Sequence, residues 1–170
     1  MENRNNIKSC TKTRKSPLGD VVVYYFISPI GLLQISGTEN HITNIQFAEN
    51  INEKEDNWEL GENAKKQLAE YFEGKRKNFD LPLHPQGSDF QKNVWAALQE
   101  IPFGETRSYG AIANAIGKAQ AARAVGQANN RNPIAIVIPC HRVIGSNKKL
   151  IGYAGGLWRK EYLLTLEKTI

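Results

Sequence analysis

The hydrophobic pattern of this chain changes period once, near Leu81-Pro82-Leu83-His84-Pro85-Gln86-Gly87, and that change limits the fold more than any other feature. Strand-like runs lie before it. Val21-Val22-Val23-Tyr24-Tyr25-Phe26-Ile27 is β-branched and aromatic and meets the turn Ser28-Pro29-Ile30-Gly31. Residues 32–36 and 42–47 continue the pattern across a break at 37–40, which reads as an antiparallel meander. Residues 62–72 carry Ala64, Leu68, Tyr71 and Phe72 at helical spacing, with Gly74 as a stop.

Beyond the change the spacing is helical. Ser88 followed by Gln91 is a capping-box signal, and Phe90, Val94, Trp95 and Leu98 form an apolar stripe. Ser108 can cap a short helix that runs to Ile116 and stops at Gly117. Residues 121–130 form a second helix, ended by Asn132-Pro133, and the pair outlines a helix-turn-helix. Residues 134–138 read as a short buried strand or extended run, 152–156 as a glycine-rich loop, and 157–168 as a final amphipathic helix. The expected fold is therefore α+β followed by α. A small N-terminal α/β domain of antiparallel sheet and helix spans 17–82, a linker 83–87, and a helical C-terminal domain with a helix-turn-helix 88–170. Residues 1–16 are polar and basic with no apolar segment, so they read as a flexible tail and not a secretory signal. No apolar run is long enough to span a membrane.

The charges are unevenly placed. Between Thr106 and Lys160 there is no Asp or Glu, while nine basic residues occur: Arg107, Lys118, Arg123, Arg131, Arg142, Lys148, Lys149, Arg159 and Lys160. The rest of the chain carries thirteen basic and seventeen acidic residues. A purely basic stretch in an otherwise acidic chain points to a face for a polyanion, and DNA or RNA is the natural candidate. Solvated lysines clustered by chance are the alternative.

That stretch contains Ile138-Pro139-Cys140-His141-Arg142-Val143. A thiolate is a strong nucleophile, and an imidazole is the usual means of forming one near neutral pH. An inert buried thiol is the competing reading. Neighbours on an extended strand point to opposite faces, so a direct Cys140–His141 hydrogen bond is awkward. A bend at Pro139 or a bridging water would relieve this, and His141 would need an acid on its other nitrogen, for which only Glu161 and Glu167 lie downstream. The other cysteine, Cys10, lies in the tail, and a cytoplasmic setting would keep both reduced. With no Cys-x-x-Cys pair and no ligand spacing among His41, His84 and His141, a zinc site is not expected.

Ile-Pro-Cys-His-Arg-Val, with Asn132-Pro133 before it and Gly152-Tyr153-Ala154-Gly155-Gly156-Leu157 after it, resembles the O6-alkylguanine-DNA alkyltransferases. The likeness extends through Ser108-Tyr109 and Ala121-Ala122-Arg123-Ala124-Val125-Gly126, in detail over the second half and in outline over the first. It implies a ribonuclease H-like N-terminal domain and direct reversal of damage in double-stranded DNA. Cys140 would accept a methyl or larger alkyl group from O6 of guanine, with O4 of thymine as a further substrate, in one irreversible turnover without a cofactor. It further implies that His141 deprotonates Cys140 through a water, that Glu167 orients His141, and that Asn132 supports the thiolate. Arg123 would fill the space of the flipped base and Tyr109 would turn the phosphate, on a DNA-binding surface with Ala122, Ala124, Gly126 and Arg131. Tyr109, Val143, Tyr153, Ala154 and Gly155 would form the substrate pocket, and the protein would act as a monomer in the cytoplasm. Departures from the family pattern fall at Asn129 and Asn130, polar where some members are apolar or small, at Ala154, which stands where some carry serine, and at Lys148-Lys149, where a glycine is common. A non-catalytic lesion sensor of the same family would lack the acceptor cysteine. A helix-turn-helix regulator would leave His141, Glu167 and Tyr153 without a purpose, and a Cys-His hydrolase would need an oxyanion loop that is not evident.

Overall fold

The structure, a computed structural model, describes residues 14–16 and 19–168. The expected flexible tail lies outside the described residues over 1–13, Cys10 included, while Arg14–Ser16 form strand β1. Strands β2 (Gly19–Ser28), β3 (Gly31–Thr38) and β4 (His41–Phe47) complete a four-stranded antiparallel sheet in sequential order. Alternation sets its faces: Val23, Tyr25, Leu33, Ile35, Ile42 and Ile45 are buried, and their neighbours are not. Helix α1 (Glu59–Phe72) covers the buried face with Ala64, Leu68 and Tyr71. It begins three residues before the expected start at Glu62; its N-cap Trp58 is buried, and a Cβ on Gly61 would meet the Trp58 ring. It stops at Gly74, whose φ of 72° is left-handed and whose N–H returns to Tyr71 O.

Helix α2 (Asp89–Gln99) opens on the expected capping box, with Ser88 and Gln91 bonded in both directions, and buries Val94, Trp95 and Leu98. A short parallel pair, β5 (Arg107–Ser108) with β6 (Val143–Ile144), flanks α3 (Tyr109–Ala115) and α4 (Ala122–Asn130). Ser108 caps α3 by accepting from Ala111 N, and Gly117, at φ 68°, turns the chain toward α4. Trp95 Nε1 donates to Ala128 O at 2.9 Å, which pins α4 to α2. Helix α5 (Leu157–Leu166) ends two residues earlier than the sequence suggested, so Glu167 is its C-cap and not a helical residue.

The free edge of β4 joins the two halves. Ile42 exchanges bonds with the linker, its N–H to Pro82 O and its carbonyl from His84 N, both at 2.8 Å. Further along, Ile45 N–H reaches Pro133 O and Ala135 N–H reaches Ile45 O. A single apolar core runs from Ile30 and Leu33 of the sheet to Val125, Ile138 and Leu163. The segment that leads to Cys140 is thus hung on the sheet.

That segment corrects one expectation. Residues 134–138 are not a strand: only Ile134 bridges to β4, and Ile138 N–H then folds back to Ile134 O. Ile136 takes φ 72°, a conformation that a β-branched residue adopts only under constraint from its surroundings. A tight turn, not an extended run, delivers the chain to Pro139.

Candidate active site around Cys140

Cys140, His141 and Arg142 form a single 3-10 turn after Pro139, and all three are buried. The extended geometry expected of Cys140–His141 is replaced by this bend, one of the two escapes open to the sequence. In a 3-10 turn successive side chains are about a third of a revolution apart, so the two no longer oppose each other. Asn132 braces the turn. Its Nδ2 donates to Ile138 O at 2.8 Å and to Ile134 O at 3.3 Å, and its Oδ1 accepts from Ile134 N.

Glu167 is the electrostatic centre. One oxygen, Oε1, lies 2.8 Å from His141 Nε2, 3.0 Å from Arg142 Nη2 and 2.6 Å from Tyr71 Oη. The other, Oε2, accepts from Arg142 Nε at 2.9 Å and Gly104 N at 3.3 Å. Burial alone would raise this carboxyl, but the hydrogen bonds from His141, Arg142 and Tyr71 outweigh it and hold the pKa at about 2. An anion surrounded by donors fixes its neighbour's tautomer: His141 must carry its proton on Nε2. Its Nδ1 is then a bare lone pair, buried and without a protein partner. Burial also lowers the His141 pKa despite the pull of Glu167, so the imidazole is neutral.

Burial pushes the Cys140 thiol up, and the Asn132 hydrogen bond and the Lys160 charge offset part of that rise. The resting pair is a thiol beside a neutral base. Lys160 is itself fully buried, donating to Val143 O at 2.6 Å and Ile151 O at 2.8 Å. Desolvation lowers its pKa to about 8, opposed by Cys140.

These shifts set an acid limit to stability. The folded-state pKa of His141 lies below the ordinary 6.5, so its contribution is present above 6.5 and is lost as pH falls through the folded value. Glu167, at about 2 against 4.5, contributes above 4.5 and loses that contribution between 4.5 and 2, on the order of 3 kcal/mol. Chemical denaturation across this range is expected to show stability falling steadily with acid, and Glu167→Gln to remove the loss below pH 4.5. An unchanged acid limb in the variant would contradict the assignment.

A cavity of about 240 Å³ opens beside Cys140. Strand β4 supplies Ile45, Gln46 and Phe47, the end of α4 supplies Asn129 and Asn130, and Asn132, Ala135 and the Tyr153-Ala154-Gly155 loop close it with Arg159. A Cβ on Gly155 would lie 2.6 Å from the Phe47 ring, so only glycine lets the loop approach the sheet. Arg159 ties the same loop down: it donates to Ile30 O and Gly155 O and stacks on Phe47 at 4.2 Å and Trp158 at 4.7 Å. Besides His141 Nδ1, two other buried polar atoms lack protein partners, Asn129 Oδ1 and Tyr153 Oη, and both residues line the cavity. A cavity that joins a nucleophile to residues with unmatched polar atoms suits a ligand that carries polar groups.

The other expected site residues divide into two groups. Tyr109 is half-buried, its hydroxyl donating to Ile151 O at 3.0 Å, and its ring lies against Gly126 of α4. Val143 is fully buried and, like Tyr109, is not among the residues lining the Cys140 cavity. Arg123, Ala124 and Arg131 are exposed on or at the end of α4, with Ala122 half-buried. The basic stretch is not one solvent face. Arg142 and Lys160 are buried at the site and Arg159 is half-buried, which leaves Arg107, Lys118, Arg123, Arg131, Lys148 and Lys149 exposed. Sequence reasoning marked Asn129 only as a departure from the family pattern and missed Arg142, Lys160, Tyr71, Phe47 and Arg159 as site residues. Among those five, a signal existed for Arg142, inside the Cys-His-Arg triplet, but it was absorbed into the basic count.

The geometry defines a class: a buried thiol, next in sequence to a neutral imidazole held by a carboxylate, beside a cavity. Comparison with known proteins narrows the class. A family profile described as 6-O-methylguanine DNA methyltransferase, DNA binding domain, matches residues 89–169, and the profile for the ribonuclease-like domain of the same enzyme matches 21–85. The methylated-DNA–protein-cysteine methyltransferase of Methanosarcina acetivorans is 53% identical over 153 residues, covering 85% of this chain and 98% of that protein. The Mycobacterium tuberculosis protein of the same name is 50% identical over 147 residues, covering 84% of this chain and 89% of its own. A crystal structure of M. tuberculosis O6-methylguanine methyltransferase superposes with a TM-score of 0.80 at 48% identity, covering 88% of this chain and 93% of that one. A crystal structure of M. tuberculosis OGT in complex with DNA gives 0.79 at 49%, covering 85% and 91%. The chain belongs to the 6-O-methylguanine-DNA methyltransferase family.

Proposed function

We propose that this protein is a methylated-DNA–protein-cysteine S-methyltransferase that repairs DNA by direct reversal, with O6-alkylguanine in duplex DNA as its substrate. The observation that carries the reading is the His141–Glu167 pair, which leaves a neutral Nδ1 lone pair as the base next to the buried Cys140. Cys140 gives its proton through a water to His141 Nδ1. The thiolate attacks the alkyl carbon, the S–C bond forms as the C–O6 bond breaks, and the departing guanine takes at N1 a proton equivalent to the one that Cys140 gave up, which leaves His141 neutral again. Asn132 and the Lys160 charge favour the thiolate as it forms.

A thioether is chemically inert and does not exchange with a thiol as a disulfide does, so each protein acts once. At excess lesion, enzymatic digestion of the DNA is expected to show one O6-methyldeoxyguanosine lost per protein molecule. Loss of several per molecule would contradict the single-use reading.

O6 cannot be reached inside a stacked duplex, so the nucleotide must be flipped. Helices α3 and α4 act as a helix-turn-helix, with α4 in a groove and Ala122, Ala124 and Gly126 allowing close approach. Arg123, exposed on α4, fills the vacated stack, Arg131 meets the backbone, and Tyr109 turns the phosphate. The base then reaches the cavity beside Cys140, along the wall of Tyr153, Ala154 and Gly155, with Tyr109 and Val143 outside its lining. Arg123→Ala is expected to slow transfer from duplex DNA by about tenfold more than transfer from free O6-alkylguanine, since unstacking a base step costs a few kcal/mol. Equal slowing on both substrates would overturn the flipping role. The protein acts as a monomer in the cytoplasm. No helix among the described residues is long and apolar enough to cross a membrane.

A further inference from the structure

Tyr71 takes no part in the transfer steps, yet its hydroxyl makes the shortest hydrogen bond to Glu167. It lies in the last turn of α1, in the N-terminal half of the chain, and is fully buried. Its ring meets Phe72 and Phe103 edge-on, at 5.5 Å and 6.2 Å between centroids, and Phe79 at 5.4 Å. Packing therefore fixes where the hydroxyl points. Tyr71 Oη lies 2.6 Å from Glu167 Oε1, the same oxygen that takes His141 Nε2 at 2.8 Å. Burial first, and the Glu167 charge after it, push the phenol well above its ordinary pKa, so Tyr71 stays protonated and can only donate.

Donors that share one oxygen compete for its charge. A carboxylate that already accepts from a phenol polarises the imidazole less and stabilises the imidazolium less. Arg142 draws on both oxygens in the same way, and Gly104 N on Oε2. The other charged or titratable groups around the pair are Lys160, which acts on His141, Tyr153, which acts on Tyr71, and Cys140, next in the chain to His141. We infer that Tyr71 is a positioning residue: by sharing Glu167 Oε1 with His141, it holds down the basicity of the imidazole and keeps Nδ1 free to take the Cys140 proton in mild acid. The inference rests on the alkyl-transfer reading and adds to it the group that tunes the base. Once charged, His141 has no lone pair at Nδ1, and transfer stops. Without the phenol, Glu167 would favour the charged ring more strongly and the ring would charge at a higher pH.

The test is the pH profile of single-turnover transfer to the full-length protein from a duplex carrying O6-methylguanine. Wild-type transfer should hold down to below pH 6.5 before it falls in acid. Tyr71→Phe keeps the ring and loses only the oxygen. Its acid limb should move up by about one pH unit, while its rate on the neutral plateau stays within about threefold of wild type. A purely structural role would lower the rate by one factor at every pH and leave the limb in place. That result, or an unmoved or lowered limb at the wild-type rate, overturns the inference while leaving transfer intact. If the phenylalanine variant fails to fold, 3-fluorotyrosine placed at position 71 alone gives the same test with the opposite sign. Its phenol is more acidic and donates more strongly, so the limb should move to lower pH; an unmoved limb overturns the inference. Wild-type protein that transfers at no pH overturns the transfer reading itself, and the inference with it.

Discussion

Replacing Glu167 with glutamine is expected to lower the rate of alkyl transfer by ~10³–10⁴ and to destabilise the fold at the same time. Glutamine keeps the size of the side chain and removes its charge. It presents an NH₂ where His141 Nε2 and Arg142 now find an acceptor, so the imidazole is no longer held with its proton on Nε2. Nδ1 then ceases to be the dedicated base for Cys140. Arg142, 6% exposed, keeps Ile101 O at 2.6 Å as an acceptor but loses its counter-charge. Removing one partner of a buried ion pair costs about 3–5 kcal/mol. Two readouts separate the effects: a thermal melt for Arg142, and single-turnover transfer below the melting range for His141. A variant that melts early yet transfers at the wild-type rate would show that Glu167 serves only the fold.

Cys140→Ser is expected to lose transfer altogether while the fold persists. The hydroxyl is far less acidic than the thiol, and a neutral His141 of lowered pKa is too weak a base to ionise it. The substitution exchanges one atom at a site held by Asn132 and Asn129 through backbone carbonyls, so those contacts survive. A serine variant that retains measurable transfer would mean that another atom accepts the alkyl group.

The elements of this fold were legible where local chemistry decides them. The meander followed from its β-branched runs, the start of α2 from Ser88 and Gln91, and the helix pair from Ser108 and Gly117, because each signal acts within a few residues. The turn at 134–138 was misread, since its apolar run, Ile134 to Ile138, has the composition of a strand. What bends it is tertiary: β4 offers partners to Pro133 and Ala135 and none further on. The same limit applies at the site. Cys140, His141 and Asn132 lie within nine residues of one another, and the resemblance supplied Glu167. Tyr71 reaches Glu167 from ninety-six residues away and leaves no trace in local pattern. Arg142 and Lys160 were counted with the DNA-facing cations, because a sequence shows their charge but not their burial.

The central claim is that Cys140 carries the transferred group. The direct measurement is the intact mass of the protein after incubation with an equimolar duplex holding one O6-methylguanine, followed by peptide mapping. A gain of about 14 Da, the replacement of a thiol hydrogen by methyl, located on Cys140 and absent from Cys140→Ser, is the expected result. An unchanged mass after the lesion has been offered in full, or a methyl group found on another residue, would contradict it.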